Sequence, residues 1–354
     1  MNLLAELQLS PEMIRQISEL EEFRGRWNDL QKLAPERLSA LRHLATIESI
    51  ASSTRIEGVK LTDQEVDQLL SKLTPHSFRS RDEQEVAGYA EAMELVYESW
   101  PEIGLTENHI KQLHGILLKY STKDERHRGR YKTMPNSVEA FDQDGKSLGV
   151  IFETATPFDT PRLMETLVRR TAAELMAREQ HPLLVIAAFV LRFLAIHPFQ
   201  DGNGRLSRIL TTLLLLRAGY AYVPFSSLER VIEDNKDAYY LSLRRAQATL
   251  DQGRENLAEW IRFFLGCLLR QKEVLERRLE DERLIEGLAP LSERLLQIAR
   301  EHGRVNMTAA IKLTAANRNT IKVHLRRLVA AGHLIPYGRG RGTWYQAKTM
   351  GNEQ

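Results

Sequence analysis

Two strongly apolar segments joined by a short polar loop constrain this fold more than any other feature of the sequence. The first, LLVIAAFVLRFLAI (183–196), runs into His197-Pro198, and the proline disfavours a helical conformation of the histidine before it. The second, RLSRILTTLLLL (205–216), again carries apolar residues at helical spacing. We therefore predict two helices that are joined by a loop at residues 197–204.

Apolar residues recur at helical spacing through most of the remaining chain, so the predicted fold class is mainly α. The region that follows Gly129 departs from this rhythm, because alternating or β-branched stretches flank Asp144-Gly145, a turn-forming dipeptide. A β-hairpin is predicted at residues 131–157. The segments with helical spacing are 11–50, 84–99, 107–119, 162–178, 183–195, 205–218 and 236–248.

Length and charge indicate more than one domain. A chain of 354 residues suggests two or three units at roughly 150 residues each. Residues 285–354 hold eleven Lys/Arg and four Asp/Glu, whereas the whole chain has a net charge of only +2. The densely charged segment before Gly287 and Pro290 suits a solvated connecting helix, so we predict a boundary near residue 288. The basic tail indicates an anionic partner, of which nucleic acid is the obvious candidate.

Neither a membrane span nor a disulfide is predicted. No apolar run reaches the roughly 20 residues that a spanning helix needs, and the N-terminal residues lack the basic and apolar segments of a signal peptide. The single cysteine, Cys267, lies in an apolar stretch where burial is expected. No Cys/His metal cluster is visible in the sequence, and these features together favour a cytoplasmic protein.

The loop between the apolar helices has the residues of an anion-binding site. Gly202 and Gly204 allow a tight turn and a close approach of the backbone to a ligand. The helix that follows presents free N–H groups and a partial positive charge at its N-terminus, and Arg205 and Arg208 add fixed charge on nearly the same face. This combination is typical of a polyphosphate cradle.

Two further loop residues have chemistry that a phosphate site uses. The Asp201 carboxylate is suited to Mg²⁺, which favours carboxylate and phosphate oxygens. His197 is the only group of the loop that accepts a proton near neutral pH. Taken one at a time, the same residues also fit a simple helix-loop-helix corner, in which the histidine is buried and the arginines lie on a solvated face.

The complete string HPFQDGNGRLSR (197–208) matches the pattern H-P-F-x-D-G-N-G-R-x-x-R at all nine fixed positions, and so it resembles the Fic (Fido) family. The resemblance extends more loosely over residues 50–265, through SSTRIEGV, GRYK and DAYYLSL. It implies a small helical bundle with a β-hairpin flap. It also implies a protein adenylyltransferase, which transfers AMP from ATP to a Ser, Thr or Tyr hydroxyl of a protein and releases pyrophosphate.

The resemblance also implies a role for each residue of the motif. His197 would be the catalytic base, Asp201 would hold Mg²⁺, and Phe199 would anchor the loop in the core. The ATP-binding residues would be Gly202, Asn203 and Gly204, which line the anion hole, Arg205 at the triphosphate, and Arg208 at the γ-phosphate.

Upstream, the segment SSTRIEG resembles the inhibitory motif (S/T)-x-x-x-E-(G/N) of many Fic proteins, with Ser53, Glu57 and Gly58 at the fixed positions. By that resemblance Glu57 pairs with Arg208, so that the arginine cannot hold the γ-phosphate. This interpretation predicts an enzyme that restrains itself. A local alternative is a capping box formed by Thr54 and Glu57, with Gly58 as a helix stop.

The hairpin resembles the family's flap, whose exposed edge pairs with an extended segment of the target and so aligns a hydroxyl. Residues 131–157 fit that role in length and turn chemistry. Lys132 departs from the family pattern, since many relatives have arginine at this place. The alternative is a surface hairpin that only covers the core.

The C-terminal residues resemble a winged helix-turn-helix. LSERLLQIAREHG, NMTAAIKLT and ANRNTIKVHLRRLVAAG read as three helices, and a strand pair, HLIPYGRGRGTWYQ, follows. A DNA-binding interpretation places the third helix in the major groove and the wing on phosphate or in the minor groove. Two alternatives stay open, a protein-contact domain and a helix whose charges only provide solubility. The candidate DNA contacts are Arg318, Lys322 and Arg326 on the helix, and Arg339 and Arg341 on the wing.

The leading hypothesis is an autoinhibited, Mg²⁺-dependent protein adenylyltransferase with an appended winged helix. Two alternatives use the same residues: removal of AMP from a modified protein, and a DNA-binding regulator whose Fic core senses nucleotide. The expected partners are ATP, a target protein (the chain itself being one candidate) and DNA, with a homodimer left open. The predicted domains are an N-terminal helical region with the inhibitory helix (1–100), the catalytic core (101–270), a linker helix (271–290) and the winged helix (291–354).

Overall fold

The structure is a computed structural model, and it describes residues 4, 7–30, 32, 35–71, 78, 80–141, 147–250, 257–286 and 288–347. For residues 137–141, 147–153, 283–286 and 341 it describes the backbone alone. The chain divides into two compact units, Met1–Glu276 and Arg277–Gln354. The four domains predicted from the sequence stay a prediction. None of the described helices combines the length and the apolar character that a membrane span needs.

The described part of the first unit is built mainly from helices, which confirms the predicted mainly α fold. Before the hairpin the helices are α1 (Pro11–Leu30), α2 (Pro35–Ile56), α3 (Asp63–Ser71), α4 (Arg81–Ser99) and α5 (Glu107–Leu117). The hairpin strands are β1 (Ser137–Phe141) and β2 (Ser147–Glu153). The helices after it are α6 (Thr160–Ala177), α7 (Pro182–Ile196), α8 (Asn203–Arg217), α9 (Leu228–Asp234) and α10 (Lys236–Gln247). The next helix, α11 (Leu257–Glu286), begins in the first unit and continues past Glu276 into the second.

Local sequence explains where several of these helices begin. The apolar pattern of residues 11–50 is divided between α1 and α2, because α2 begins at Pro35 and proline suits the first turn of a helix. Ser80 caps α4, and Thr106 caps α5. Each of these side chains accepts a hydrogen bond from a backbone N–H three residues further on, which satisfies a donor that the helix itself leaves unpaired.

The two predicted apolar helices, α7 and α8, form the centre of the first unit. Leu183–Leu191 of α7 are all buried, and so is every residue of α8 from Leu206 to Leu216. A helix that is apolar on all sides is stable only inside a protein, so its neighbours must surround it. α7 packs against α6, α8 and α10, while α8 also packs against α2, α4 and α5. The loop between α7 and α8 is therefore fixed at both ends by the core.

The predicted hairpin is present. β1 and β2 pair antiparallel, with Ser137 opposite Glu153 and Phe141 opposite Ser147, and the register shifts at two places. The predicted turn, Asp144-Gly145, lies outside the described residues. Next to the strands, the Thr154 hydroxyl donates to the carbonyl oxygen of Asn136 at 2.7 Å, which ties the two ends of the hairpin together.

The second unit contains a small core between helices and a sheet. Its described elements are α12 (Pro290–Glu301), β3 (Val305–Asn306), α13 (Met307–Thr314), α14 (Arg318–Ala330), β4 (Leu334–Tyr337) and β5 (Trp344–Ala347). The sheet is antiparallel in the order β3-β5-β4, and β3 is a strand that the sequence did not predict. Ile321, Leu325 and Leu328 of α14 are buried in this core. The winged-helix interpretation of the unit stays a prediction.

Gly88 lets α4 lie very close to the end of α5, and this contact predicts a loss of stability when a side chain is added there. A Cβ atom on Gly88 of α4 would lie 2.1 Å from the carbonyl oxygen of Leu117, at the end of α5. We expect Gly88→Ala to destabilise the protein by roughly 1–3 kcal/mol, because backbone must move to remove the clash. The matched control is Gly25→Ala in α1, where no atom lies within 4 Å. It should be neutral or stabilising by up to about 1 kcal/mol. Urea unfolding measures both, and equal midpoints for the two variants would contradict the close approach.

Candidate active site

His197 ends α7 in a backbone conformation that residues other than glycine rarely adopt. Its φ and ψ angles are 52° and 59°, and its N–H donates to the carbonyl oxygen of Phe193 at 2.9 Å. A side chain in this left-handed region costs about 1–2 kcal/mol and persists only where the surroundings impose it. The conformation turns the chain sharply at the end of α7.

The ring of His197 is held in one tautomer. Its Nδ1 lies 3.3 Å from the carbonyl oxygen of Leu194, and a carbonyl only accepts, so the proton resides on Nδ1. The lone pair is therefore on Nε2. Burial lowers the pKa of His197 to about 4, and the positive charge of Lys132 acts in the same direction. At neutral pH the imidazole is an uncharged base.

Phe199 anchors the loop in the core. Its ring is fully buried and stacks on His114, with centroids 3.8 Å apart and planes 15° from parallel. The Asn203 side chain closes the loop around it, since Oδ1 accepts from the Phe199 N–H at 2.9 Å and Nδ2 donates to the Phe199 carbonyl at 2.7 Å. The Asn203 side chain therefore shapes the loop, and any contribution it makes to an anion hole comes from its backbone.

His114 of α5 is a loop-supporting residue that the sequence analysis missed. Its Nδ1 accepts from the Gly129 N–H at 2.9 Å, so the proton is on Nε2, which donates to the Asp201 carbonyl at 3.0 Å. The side chain is fully buried, and burial lowers its pKa to about 4. A signal was available in the sequence, because His114 shares the buried face of α5 with Ile110 and Leu117.

The glycines bring the loop and the end of α2 into close contact. Gly202 precedes α8 with φ at 79°. A Cβ atom on Gly204 would lie 2.2 Å from Glu57 Oε1. The Glu57 carboxylate thus lies directly against the first turn of α8, where a helix N-terminus attracts negative charge. A protein carboxylate stands where an anionic ligand is expected.

The two predicted arginines are buried and paired. Arg205 donates from NH1 to Glu85 Oε2 at 2.8 Å and from NH2 to Asp201 Oδ1 at 3.0 Å. Arg208 donates from Nε to the Ser53 hydroxyl at 2.7 Å and from NH2 to Glu57 Oε1 at 2.8 Å. Glu57 and Arg208 are thus brought together, as the resemblance implied.

The C-terminal end of α2 sets the position of Glu57. Gly58 has φ at 102°, and Val59 and Gly58 donate backbone N–H groups to the carbonyls of Thr54 and Arg55, which is the pattern of a Schellman stop. The suggested capping box is not formed, because Thr54 lies in the last turn and its hydroxyl donates to the Ile50 carbonyl at 2.9 Å. Gly58 is the helix stop that the sequence predicted.

The charge state of Glu57 follows from these contacts. Burial alone would raise its pKa, but the positive charges of Arg208 and Arg205 hold the pKa of Glu57 below its ordinary value of 4.5. The same pairing raises the pKa of Arg208. Both groups are therefore ionised at neutral pH.

A cleft of about 140 Å³ opens between this loop and α10. Its walls include Glu57, His197, Gly204, Tyr240 and Gln247. The sequence analysis did not predict that α10 belongs to the site, although the segment DAYYLSL, which resembles the family, lies in this helix. Within the described chain the buried amide of Gln247 has no hydrogen-bond partner at either Oε1 or Nε2. The volume is below the 300 Å³ or so of a typical ligand site, and Glu57 occupies part of the space.

The residues present fit a magnesium ion that is shared with phosphates. The Asp201 carboxylate is partly exposed, and it accepts from Arg205 and, at 3.4 Å, from Arg81. Among the described residues, no group of three or more His, Cys, Asp or Glu side chains is suited to hold a metal. Mg²⁺ commonly uses one or two protein carboxylates and takes its other ligands from phosphate and water. A single carboxylate beside an anion-binding helix is such a donor set.

The second unit places most of the predicted DNA contacts on its surface. Arg318, Lys322 and Arg326 are exposed and follow one another at a spacing of four residues along one side of α14, and Arg339 is exposed after β4. The Arg341 side chain lies outside the described residues. Residues 302–347 contain eight Lys/Arg and no Asp or Glu.

The described residues place a neutral histidine beside a glycine-lined helix N-terminus within a helical core. The chain belongs to the Fic/DOC family, whose model matches residues 104–215. A Fido domain-containing protein of Dictyostelium discoideum is 36% identical over 110 residues, which cover 30% of this chain and 72% of that protein. The protein adenylyltransferase Fic of Drosophila mojavensis is 28% identical over 258 residues, 72% of this chain and 45% of that protein.

Solved structures share the fold. A Fic family protein from Desulfovibrio desulfuricans G20 has a TM-score of 0.60 and 23% identity, and the match covers 98% of this chain and 99% of that one. A Fic domain-containing signalling protein from Bacteroides thetaiotaomicron also has a TM-score of 0.60, with 24% identity, over 74% of this chain and 97% of that one. The chain spans less than half of the length of the Drosophila relative.

The Glu57–Arg208 pair predicts a pH-dependent contribution to stability. The folded-state pKa of Glu57 is lowered, so its contribution is present above pH 4.5 and is lost as the pH falls through the lower folded value. We expect Glu57→Gln to reduce the free energy of unfolding by about 1–3 kcal/mol at neutral pH, since Arg208 loses a charged acceptor.

Urea unfolding of parent and Glu57→Gln between pH 3 and 7 tests this, and the difference between them should shrink towards acid. Glu36→Gln, at the exposed start of α2, is the matched control. A parent–variant difference that stays constant over the whole pH range would rule out the ionised pair.

Proposed function

We propose that the chain is a Mg²⁺-dependent protein adenylyltransferase that is restrained by Glu57. It transfers AMP from ATP to a Ser, Thr or Tyr hydroxyl of a protein and releases pyrophosphate. One observation carries the proposal: neutral His197, whose Nε2 carries the lone pair, lines the same cleft as the N-terminal residues Asn203 and Gly204 of α8. A base and an anion site in one cleft are what transfer of a phosphate-containing group to a hydroxyl requires. A cytoplasmic location stays a prediction.

The reaction uses each group in a defined way. His197 Nε2 takes the proton of the target hydroxyl as its oxygen attacks the α-phosphorus. The bond between the α-phosphorus and the bridging oxygen breaks, and pyrophosphate leaves with the electron pair. Backbone N–H groups of the first turn of α8 stabilise the charge on the phosphates, and Arg205 and Arg208 add fixed positive charge. The protein contributes positioning and charge, and it forms no covalent intermediate.

Asp201 would hold the magnesium ion. When bound there, the ion would supply positive charge that offsets the charge on the phosphates and so favours the departure of pyrophosphate. The hydrogen bond from Arg205 holds this carboxylate against the first turn of α8.

The restraint follows from competition for one arginine. Arg208 is buried and bonded to Glu57 and Ser53, so a γ-phosphate can reach it only when Glu57 is displaced. Glu57 also lies 2.2 Å from the Cβ position of Gly204 and so narrows the anion site itself. A phosphate placed at this helix N-terminus would carry the same sign of charge as the Glu57 carboxylate, and like charges repel in a partly buried site.

The test uses purified full-length parent, Glu57→Gly and Glu57→Gly/His197→Ala with Mg²⁺ and α-labelled ATP. Glu57→Gly should label itself or a lysate protein about 10- to 100-fold more than the parent, because Arg208 regains a phosphate partner worth ~1.5–3 kcal/mol. The double variant should not label. Glu36→Gly, the same exchange at the exposed start of α2, is the matched control and should behave as the parent.

Other outcomes distinguish the alternatives. Equal labelling by parent and Glu57→Gly would contradict the proposed restraint by Glu57 but support the proposed transferase activity. No label from any variant that binds ATP would favour removal of AMP or nucleotide sensing. Release of AMP from a premodified protein by the parent, lost in Glu57→Gly, would establish removal.

A second proposed function is DNA binding by the second unit. The observation that favours it is the combination of Arg318, Lys322 and Arg326 on one exposed helix face with a stretch, 302–347, that lacks acidic residues. Such a surface neutralises phosphates, and a helix with one buried and one basic face suits the major groove.

We expect the protein to bind duplex DNA with an affinity that falls as salt rises. Lys322→Ala should weaken binding uniformly across sequences and reduce the slope of log affinity against log salt by about 1, since one phosphate contact is lost. Arg294→Ala on α12, also exposed, is the matched control. Fluorescence anisotropy measures both. Equal effects of the two substitutions would contradict a specific role for α14.

A further inference from the structure

Lys132, which precedes the hairpin, has an unusual position for a lysine. Its side chain is almost fully buried, with 3% exposed. The ammonium Nζ donates to the carbonyl of Ile196 at 3.0 Å, to Asn136 Oδ1 at 2.8 Å and to the Thr154 hydroxyl at 2.8 Å. Its backbone N–H donates to the carbonyl of Pro198 at 2.8 Å. All three ammonium protons therefore have an acceptor.

Two of these acceptors flank the candidate base. Ile196 and Pro198 are the neighbours of His197, and Lys132 bonds to the carbonyl of each. His197 has a left-handed backbone, which unaided costs about 1–2 kcal/mol and relaxes unless neighbouring groups fix it. Lys132 thus fixes the peptide group that precedes His197 and the carbonyl of the residue that follows it, and these two bonds restrict the φ and ψ angles of the histidine between them. The same angles determine where Nε2 points.

The other acceptors belong to the two ends of the hairpin. Asn136 precedes β1, and Thr154 follows β2. The Asn136 amide also donates to the Phe199 carbonyl at 2.8 Å, which is a further bond from the hairpin base to the loop. One ammonium thus joins both ends of the hairpin to the chain around His197.

We propose that Lys132 is a positioning residue that holds His197 in its reactive orientation and links that orientation to the base of the hairpin. The proposal rests on the proposed function, because it takes His197 as the base that accepts the hydroxyl proton. It also gives the base of the hairpin a role in the reaction, which is to keep His197 in place. A hydroxyl that is aligned by the hairpin meets a base that the same hairpin holds.

Charge supports this geometry. Of the described residues, Lys132 before β1, Glu57 at the end of α2 and Asp201 in the loop act on the charge of His197. Tyr239, Tyr240 and Arg244 of α10 line the same cleft. The lysine lowers the pKa of His197, whereas the two carboxylates raise it. Burial lowers the pKa of Lys132 itself to about 8, so it is mainly charged at neutral pH. Removal of its charge should therefore raise the pKa of His197.

A purely structural lysine would also bond to carbonyls, so the test needs a readout that packing alone does not move. Lys132→Met keeps the length of the side chain and removes its charge and donors. Lys132→Arg keeps both. Lys119→Met, at an exposed lysine paired with Glu91, is the matched control. Thr154→Val removes one acceptor without a change of charge, and it serves if Lys132→Met does not fold.

The variants are made in full-length Glu57→Gly, where the proposed transfer is measurable. Lys132→Met should lower kcat on the order of 100-fold, the scale expected when a base is displaced by about 1 Å, with KM for ATP changed by less than about 2-fold. The acid limb of its kcat profile should move to higher pH, because His197 then protonates more readily. Lys132→Arg should recover most of kcat. Lys119→Met should have the same kcat as Glu57→Gly alone. Thr154→Val should lower kcat less, and leave the acid limb in place.

Titration of His197 by NMR of the labelled full-length protein gives a readout that does not depend on transfer. Its pKa should rise in Lys132→Met and stay low in Lys132→Arg. If Glu57→Gly transfers no AMP but the pKa of His197 still shifts in this way, the proposed function is overturned. Lys132 then remains the residue that controls the orientation and the pKa of His197. Unchanged kcat in Lys132→Met, or equal losses of kcat in Lys132→Met and Lys132→Arg without a shift of the acid limb, would overturn the positioning role. If only Thr154→Val folds, an unchanged kcat would overturn it.

Discussion

The burial of two consecutive apolar helices is the constraint on which the rest of this structure depends. α7 and α8 lie at the centre of the first unit, and their ends fix the six residues between them. Because both helices are surrounded by protein, the loop cannot relax by moving either one. The left-handed conformation of His197 and the positive φ of Gly202 are the two turns that let so short a loop join them. Strain at the histidine is therefore imposed by the core and supported by neighbouring groups.

Buried polar side chains from other elements complete the loop. His114 holds the Asp201 carbonyl, Asn203 holds both backbone groups of Phe199, and Lys132 holds the carbonyls beside His197. Each of these bonds gives a backbone group of the loop a partner, and a buried backbone group that lacks one costs about 1–3 kcal/mol. A rigid site built in this way needs little rearrangement when charge develops on a phosphate. The base of the hairpin is part of the same support.

Arg208 gives the site its two states. A buried guanidinium requires an anionic partner, because leaving it unpaired costs about 3–5 kcal/mol. In the proposed resting state the partner is Glu57, presented by the Schellman stop of α2, and Arg55 bonds the same helix end to Glu233 at 2.6 Å. A nucleotide phosphate is the competing partner in the proposed active state. Any event that moves the last turn of α2 changes this competition, so the proposed restraint depends on the position of that turn.

Much of the fold and part of the site could be predicted from sequence because they depend on local patterns. The mainly α class, the existence of the hairpin, the loop after α7 and the stop at Gly58 follow from helical spacing, alternation and backbone preferences within a few residues. The identity of the loop residues also indicated an anion site, since glycines, arginines and a helix start lie together in the chain. The capping box at Thr54 was wrong for a related reason: the local pattern fits a helix start, but the residue lies in the last turn of a helix.

Only the tertiary structure decided which distant residues meet. Glu57 and Arg208 are 151 residues apart, and Lys132 lies 64 residues before Ile196. The position of His114 on the apolar face of α5 indicates burial but not what it bonds to, because a polar residue on an apolar face has the same pattern whether it supports the core or a ligand, and the same holds for Gln247 of α10. The sequence by itself therefore determined the helices, the turns and the chemistry available in the loop. The packing of helices determined the charge partners and the support of the His197 backbone, since these depend on distances through space rather than along the chain.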